Sequence, residues 1–356
     1  MPTIFAPETD FDRPSLLYLS LSQPVRTLLR LFDLTSSVIL YTRPSKVRSS
    51  HALPVRIVCI SDTHTLQCSV PDGDVLIHAG DLTNKGTPAE LQAQIDWLDS
   101  LPHKYKIAIA GNHDSWLDAR CRHLLGADGD GEVDWKGVKY LQHASTMLRF
   151  TGEAQGDGAA AAEGGGGRTV ERKLTVFGAP QIPACGGDDF AFQYQRGDDA
   201  WTGTVPDDTD ILITHTPPRF HLDLPSAHNG EGLGCGFLLG ECWRVRPRAH
   251  VFGHVHAGRT ETFGRWTGGK QVVRWDPRQK VVERALARSA GNGLLRSMFD
   301  LRCWVDCFRI VWLGVSGLIW DKVWGGEVQR ETLMVNAALM FEDSGKLGNE
   351  PQVFEI

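Results

Sequence analysis

Acidic and imidazole side chains follow a strongly apolar stretch near the start of the chain. Residues 55–60 are largely apolar and β-branched, as expected of a strand that is buried on both faces, and Asp62 and His64 come directly after them. Side chains two apart in an extended chain point to the same side. Ligands of α/β sheets tend to bind where loops leave the strands. One carboxylate and one imidazole at such a place make half of a metal site.

Four more predicted strands, at 74–81, 106–114, 210–215 and 249–256, end in side chains of the same kind. A single such residue is more simply explained as a hydrogen-bonded polar group at a strand end. Five strand ends in order favour a metal site, because each occurs in the expected context. Carboxylates, imidazoles and an amide oxygen, without thiolates, suit divalent manganese, iron or zinc. The further candidate residues are Asp81, Asn112, His113, His215, His254 and His256.

The apolar pattern also predicts the elements that position these side chains. Thr87-Pro-Ala-Glu90 matches a capping box with proline in the first turn, and the helix is expected to end at Leu101-Pro102. Strands that alternate with a helix predict a parallel α/β arrangement. The other predicted elements are helices at 22–32 and 115–125 and strands at 36–42, 139–150, 173–178, 271–275 and 332–341.

The chain divides into a core and three additions. The Gly/Ala-rich segment 151–168 cannot bury a core and is predicted to be a disordered loop. The predicted parts are an N-terminal extension with an amphipathic helix (1–50), a catalytic domain (51–285 plus 330–345), a Trp-rich helical insertion (286–329) and a tail (346–356).

Composition excludes several classes of protein. A formal net charge of -6, without a long basic run, argues against nucleic-acid binding. The 8 cysteines are scattered, which argues against a zinc finger or disulfide framework and indicates a reducing compartment. The first residues lack the pattern of a secretory signal, and no run reaches the ~20 apolar residues of a membrane span. We therefore expect an intracellular, cytoplasmic protein.

Five short motifs resemble those of the calcineurin-like metallophosphoesterases, in order, and the resemblance covers residues 55–260 and a final strand near Val335-Asn336-Ala337. The residue patterns at 73–83, 97–103 and 245–253 are similar to those of the small metallophosphoesterase-domain-containing phosphodiesterases. The resemblance implies a four-layer α-β-β-α sandwich of two mixed sheets. The motifs are Asp62-x-His64, Gly80-Asp81, Gly111-Asn112-His113-Asp114, Thr214-His215 and Gly253-His254-x-His256.

The resemblance also implies a role for each candidate residue. Asp81 would bridge two divalent metal ions, for which manganese is the preferred identity and iron or zinc are alternatives. His113 would bind no metal and would stabilise or protonate the leaving oxygen. The implied reaction is hydrolysis of phosphoesters, phosphodiesters first, by a metal-bridging hydroxide. The ligands would be Asp62, His64 and His256 for the first ion and Asn112, His215 and His254 for the second.

Other functions stay open but are less favoured. Residues 80–86 lack the arginine of the protein Ser/Thr phosphatases, and Asp114 stands where those enzymes have glutamate. A phosphomonoesterase with a small substrate is the nearest alternative. A non-catalytic scaffold is a further one, although no ligand is missing. The acidic balance disfavours a nuclease. We expect the remaining histidines of interest, His78, His103, His143 and His250, to be structural or superficial.

The insertion carries apolar residues at helical spacing between 301 and 320. Its uncharged run, 310–320, is too short to span a bilayer. We expect the helix to pack on the body of the protein, and interfacial contact with a membrane is the alternative. The packing interpretation buries Trp304, Phe308, Trp312, Leu318 and Ile319, with Leu28, Leu29 and Phe32 as the preferred partners.

Overall fold

A computed structural model gives the fold. It describes residues 17, 20–21, 27–29, 31, 53–153, 169–187, 189–223, 232–256, 261–262, 265–266, 269–289, 299–324, 330–341 and 344–356. The strands are β1 (Arg56–Ile60), β2 (Val75–Ala79), β3 (Tyr105–Ile109), β4 (Val138–Tyr140), β5 (Ala144–Glu153), β6 (Thr169–Ala179), β7 (Ile182–Pro183), β8 (Gln193–Tyr194), β9 (Ile211–Thr214), β10 (Ala249–Phe252), β11 (Glu261–Thr262), β12 (Arg265–Trp266), β13 (Lys270–Arg274), β14 (Glu331–Asn336) and β15 (Gln352–Glu355). The α-helices are α1 (Pro88–Ser100), α2 (Gly236–Val245), α3 (Pro277–Ser289) and α4 (Leu301–Trp324), and short 3₁₀ helices span Ser115–Leu117 and Arg122–Gly129.

Two mixed sheets form the centre of the fold. The first has the strand order β15-β1-β2-β3-β4, in which β1 to β4 are parallel and β15 runs antiparallel to β1. The second has the order β13-β14-β10-β9-β6-β5, in which the four inner strands are parallel and the two edge strands antiparallel. The parallel strands of both sheets end near one another, and this arrangement positions the candidate residues.

The sheets pack face to face, with helices outside. Alternation along β1 sends Ile57 and Cys59 into the core between the sheets, and Val58 and Ile60 into a second core beneath α1. A third core lies between the second sheet and α2. Because both faces of the inner strands are covered, β2, β9 and β10 are buried along their whole lengths. The four-layer α-β-β-α sandwich is confirmed.

Most predicted strands and the first helix are confirmed, with shifts at their ends. The Thr87 hydroxyl caps α1 by accepting a hydrogen bond from the backbone N–H of Glu90 at 3.2 Å, and the helix ends before Leu101. Residues 139–150 were predicted as one strand but form β4 and β5, in different sheets. Residues 151–153, expected in the loop, pair with β6 as part of β5.

Several other sequence predictions have a different or an untested outcome. The helix expected at 115–125 is a pair of 3₁₀ helices. The segment 346–356, expected as a tail, contributes β15 to the first sheet. Residues 154–168 and the strand predicted at 36–42 lie outside the described residues, and of the helix predicted at 22–32 the structure describes only helical residues at 27–29 and 31. The domain boundaries stay a prediction.

The long helix α4 packs on the body of the protein and contacts Leu29, as predicted, but the side of the helix that is buried was predicted wrongly. Its buried side is made of Cys303, Cys307 and Ile310, which pack with α3 and with Leu29. The residues expected to be buried, Trp304, Phe308, Trp312 and Ile319, are 47–68% exposed. Small side chains allow α4 to approach α3 closely, so the aromatic residues face outward. The side chains of Phe32 and Leu318 lie outside the described part of the chain.

Candidate metal centre

Each candidate residue follows the carboxyl end of a parallel strand. Asp62 and His64 follow β1, Asp81 follows β2, and Asn112 and His113 follow β3. In the second sheet His215 follows β9, and His254 and His256 follow β10. Since the carboxyl ends of parallel strands share one edge of a sheet, and the two sheets pack face to face, one cluster receives residues from both.

The backbone turns sharply at four of these residues. Asp62, His64, Asp81 and His254 have φ of 54°, 44°, 54° and 64°. A non-glycine residue in this left-handed region costs about 1–3 kcal/mol and is found chiefly at functional sites. Hydrogen bonds fix the turns: the N–H groups of Thr63 and His64 donate to the Asp81 carbonyl, and the N–H of Asp62 donates to the Gly80 carbonyl.

Two glycines allow the carboxylates to approach the neighbouring loops. A Cβ at Gly111 would lie 2.2 Å from Oδ1 of Asp81, and one at Gly253 would lie 2.2 Å from Oδ2 of Asp62. Both distances are far inside van der Waals contact, so a larger residue at either position would displace a carboxylate. The Gly-Asn-His-Asp and Gly-His-x-His motifs therefore begin with glycine for a steric reason.

One group of ligand atoms lies between the ends of β1 and β10. The side-chain ligand atoms of Asp62, His64 and His256 all lie within 4.8 Å of one another. His256 Nε2 is 3.2 Å from Oδ1 of Asp62, and the backbone N–H of His254 donates to the same carboxylate at 3.0 Å. This trio coincides with the residues that the resemblance assigns to the first ion.

The Asp81 carboxylate lies at the centre of the cluster. Its Oδ2 is 3.3 Å from His215 Nε2 and 3.7 Å from His64 Nε2, and its Oδ1 accepts a hydrogen bond from the backbone N–H of His113 at 2.8 Å. The ligand atoms of Asp62, Asp81 and His215 again lie within 4.8 Å of one another. Asp81 thus contacts both groups, as a bridging ligand would.

His215 connects Asp81 with the remaining candidate ligands. Its Nε2 is 3.1 Å from Oδ1 of Asn112, and its ring centroid is 5.1 Å from that of His254. Its Nδ1 lies 2.8 Å from the Ala79 carbonyl, which can only accept a hydrogen bond. The proton of a neutral His215 is therefore on Nδ1, and Nε2 presents its lone pair to the cluster, the tautomer that a metal ligand needs.

The chemistry of these donors fits a cation. His64 Nε2 is buried and has no hydrogen-bond partner among the residues that the structure describes. Burial would raise the pKa of Asp62, but a hydrogen bond with His256 lowers it to about 2. Burial would likewise lower the pKa of His215, but the charge of Asp81 raises it to about 9. Two buried carboxylates thus favour positive charge within the cluster, and divalent cations would supply it.

His113 occupies a different position from the other histidines. Its Nδ1 lies 3.0 Å from the Asn84 carbonyl, which can only accept a hydrogen bond, so Nδ1 is the donor. The ring is held edge-on to His64, at 4.7 Å between centroids, and against Phe190 at 4.9 Å. Ligand atoms of His113, His64 and Asp81 also lie within 4.8 Å of one another, so His113 is close enough to act on a group bound there.

Asp114 joins two of the ligand loops, a role that sequence reasoning did not assign. Its carboxylate accepts hydrogen bonds from the N–H groups of Gly111 at 2.8 Å and Thr83 at 2.9 Å, and from the Thr83 hydroxyl at 2.7 Å. Burial, together with the charge of Asp81, raises the pKa of Asp114 to about 6. The loops that carry Asp81 and Asn112 are therefore held in one geometry by a single side chain.

Two buried histidines support the cluster in matching ways. His78 on β2 lies 3.0 Å from the Thr63 hydroxyl, and His250 on β10 lies 2.8 Å from the Thr214 hydroxyl. Each threonine directly adjoins a candidate ligand. Burial lowers the pKa of both histidines to about 3, so both are neutral. His103 is buried against the Pro71 carbonyl and His143 is exposed, and none of the four belongs to the groups of ligand atoms described above.

Asn336, at the end of β14, holds the loop of the last motif, a role that the sequence analysis did not assign. Its side-chain amide donates to the Val255 carbonyl at 2.9 Å and to the Leu222 carbonyl at 3.4 Å, and its Oδ1 accepts from the N–H of Ala338. The side chain is fully buried. Val255 separates His254 from His256, so Asn336 fixes the backbone between these two histidines.

We expect Asn336→Ala to weaken metal binding. Partners that orient ligands typically change metal affinity 10–100-fold, and about 1–3 kcal/mol of stability is lost when a buried carbonyl loses its donor. Titration of metal into the stripped protein and thermal unfolding would measure the two effects. Asn349→Ala is the matched control, because the Asn349 amide also donates to two carbonyls, those of Ala338 and Met340. Equal metal affinities in the two variants would contradict the role of Asn336.

Comparisons with known proteins agree with this site. The family model of the calcineurin-like phosphoesterases matches residues 55–258. A protein of Caenorhabditis elegans, UPF0046 protein K07C11.7, is 37% identical over 57% of this chain and 63% of its own length. The human metallophosphoesterase domain-containing protein 1 is 35% identical over 57% of this chain and 61% of its own length.

A longer relative shares a larger part of the chain. The probable rhamnogalacturonate lyase C of Emericella nidulans is 40% identical over 80% of this chain, but the match spans only 23% of that protein. The chain thus spans less than two thirds of each of these relatives. The matched region in the family model contains all the candidate residues from Asp62 to His256, so this chain belongs to the calcineurin-like phosphoesterase family.

Proposed function

We propose that this chain hydrolyses phosphoesters, with small phosphodiesters as its preferred substrates and two divalent cations, manganese first, as cofactors. The observation that carries the proposal is the cluster of Asp62 and Asp81 with the surrounding imidazoles at the ends of both sheets. When bound, two cations close together would activate water and neutralise charge on the phosphoryl group. Asp62, His64 and His256 would hold one ion, Asn112, His215 and His254 the other, and Asp81 both.

The proposed acid is His113, and the structure suggests which atom carries the proton. Nδ1 donates to the Asn84 carbonyl, so Nε2 is the nitrogen that can hold a second proton and give it up. The oxygen of water bonds to phosphorus and its displaced proton passes to solvent, the ester bond between phosphorus and the leaving oxygen breaks, and the leaving oxygen takes the proton from Nε2. General-acid catalysis of this kind typically contributes about 10²–10⁴-fold. Contacts with His64 and Phe190 keep the ring in place.

A preference for diesters has its own support. A phosphodiester carries one negative charge, whereas a monoester carries about 1.5 to 2 at neutral pH. The loop that follows Asp81, residues 81–86, contains no arginine for a bidentate contact with the more highly charged monoester, and its one cation is Lys85. The motifs shared with the small metallophosphoesterase-domain-containing phosphodiesterases point the same way.

A metal-by-substrate screen tests the proposal. The chelator-stripped protein would be reloaded with manganese, iron, zinc or magnesium and assayed with an aryl phosphodiester, the corresponding monoester and cyclic nucleotides. We expect metal-dependent turnover, faster with the diester. The Asp81→Asn protein, prepared in parallel, controls for contaminating phosphatases. Binding of metal without turnover of any phosphoester would instead indicate a scaffold, and faster turnover of the monoester would reject the diester preference.

A further inference from the structure

Helix α4 presents a row of large apolar side chains to solvent, which we call the aromatic face. It consists of Leu301, Trp304, Phe308, Trp312, Val315 and Ile319, which are 47–78% exposed. Their spacing of three and four residues places them on one side of the helix. A helix that only completes the fold would carry polar residues on this side.

The opposite side of α4 already anchors it to the protein. Cys303, Cys307 and Ile310 are buried against α3, and an ion pair links Arg288 of α3 to the buried Asp306. The helix therefore has two apolar sides, and the fold uses the one with the smaller residues. The aromatic face is held at the surface in a fixed orientation.

The apolar area of this face exceeds that of scattered surface residues. Aromatic side chains present about 150–250 Å² each. Trp304, Phe308 and Trp312, at 47%, 68% and 62% exposure, together with the aliphatic members leave several hundred Å² in one row. A patch of that size on a protein surface marks an interaction site.

The charges near the aromatic face indicate what it contacts. Arg302 and Arg309, seven residues apart, lie on one flank of the face and are exposed. Among the side chains of α4 that the structure describes, the only carboxylate belongs to Asp306, which is buried and paired with Arg288. The exposed side chains that the structure describes between 301 and 320 thus combine apolar and positive groups.

We propose that the aromatic face of α4 docks on the surface of a bilayer that contains anionic lipids. Tryptophan favours the interface between lipid and water, and amphipathic helices with basic flanks lie in that plane with their apolar side among the acyl chains. Among the described residues no helix combines the length and apolarity needed to cross a membrane, so α4 would lie on the bilayer. Arg302 and Arg309 would contact anionic head groups.

Vesicle co-sedimentation of the full chain tests this inference. The probes are phosphatidylcholine vesicles with and without phosphatidylserine. We expect binding that phosphatidylserine strengthens, that added salt weakens, and that a Phe308→Glu, Trp312→Glu double variant reduces at least about tenfold, since burial of two aromatic side chains is lost. A variant with Arg302→Gln and Arg309→Gln should keep residual binding but lose the preference for phosphatidylserine.

The matched control is Leu124→Glu, which adds a negative charge at a leucine that is 51% exposed and belongs to the 3₁₀ helix Arg122–Gly129. It should bind vesicles like the unmodified protein, and all variants should keep their melting temperatures because the changed residues are exposed. Absence of vesicle binding, or binding that the double variant leaves intact, would overturn the proposal. A dimer in light scattering that the double variant converts to a monomer, without lipid binding, would assign the face to a second copy of the chain.

Discussion

The Asp81→Asn variant is expected to lose about 10²–10³-fold in kcat/KM, the loss typical of removing one preorganised electrostatic group. It should also retain fewer metal ions per chain. Asp81 contacts both groups of ligands, so a neutral amide in its place removes the one charge that both ions would share. Elemental analysis after gel filtration, together with steady-state kinetics on an aryl phosphodiester, measures both effects.

Asp128→Asn is the control for this variant, since it makes the same change at an exposed position in the 3₁₀ helix Arg122–Gly129. It should leave metal content and turnover unchanged. An Asp81→Asn protein with full metal content and normal turnover would show that Asp81 does not bridge two metal ions.

The His113→Gln variant is expected to lose about 10²–10⁴-fold in kcat while its metal content stays unchanged. His113 would act on the leaving oxygen, and its removal should matter most when that oxygen is a poor leaving group. We therefore expect a larger loss with an alkyl phosphodiester than with a nitrophenyl diester, whose leaving group needs little protonation. Single-turnover rates on the two substrates measure the difference.

An equal loss of kcat on both substrates would contradict the acid role. A drop in metal content would instead show that His113 is a metal ligand, since its ligand atom is close to those of His64 and Asp81. His123→Gln serves as the control, because it changes an exposed histidine outside the cluster. Its kinetics should match those of the unmodified protein.

The sequence predicted the parallel strands well because their signal is local. Each of β1, β2, β9 and β10 is a short, largely apolar run that is followed within two residues by a candidate ligand, and a strand buried on both faces requires a largely apolar composition. The Thr87-Pro88 start of α1 was equally clear, because a capping hydroxyl and a proline act within one turn.

Elements that depend on distant contacts were missed. The strand β15 is four residues long and becomes a strand by pairing with β1, some three hundred positions away in the chain.

Two helices were missed although their caps are local. Helix α2 begins at a glycine, and its cap is the sulfur of Cys235, an unusual acceptor for such a role. Helix α3 carried a signal that was overlooked: Asp276 precedes Pro277, and its carboxylate accepts a hydrogen bond from the N–H of Gln279.

In the candidate site, too, residues with a local sequence signal were predicted and residues that depend on distant contacts were not. The seven candidate ligands and His113 follow strand ends and could be named from the sequence. The roles of the residues that orient them could not be predicted: Asp114 belongs to a quoted motif, but its contact with Thr83, like that of Asn336 with Val255, joins segments that are remote in sequence. The apolar periodicity of α4 predicted a helix but not which side of it is buried, because both sides are apolar. The side with the smaller residues is buried because it can approach α3 closely.

The candidate ligands come from positions 62 to 256, and both sheets contribute. No short segment of the chain contains enough of them to bind an ion firmly, so the unfolded chain has no complete binding site for a cation. Ions could join only after β1, β2, β3, β9 and β10 are in register. They would then stabilise the native state by mass action, by about 2.7 kcal/mol at a concentration one hundred times the dissociation constant. Metal supply would thus affect how long the folded protein persists more than how fast it forms.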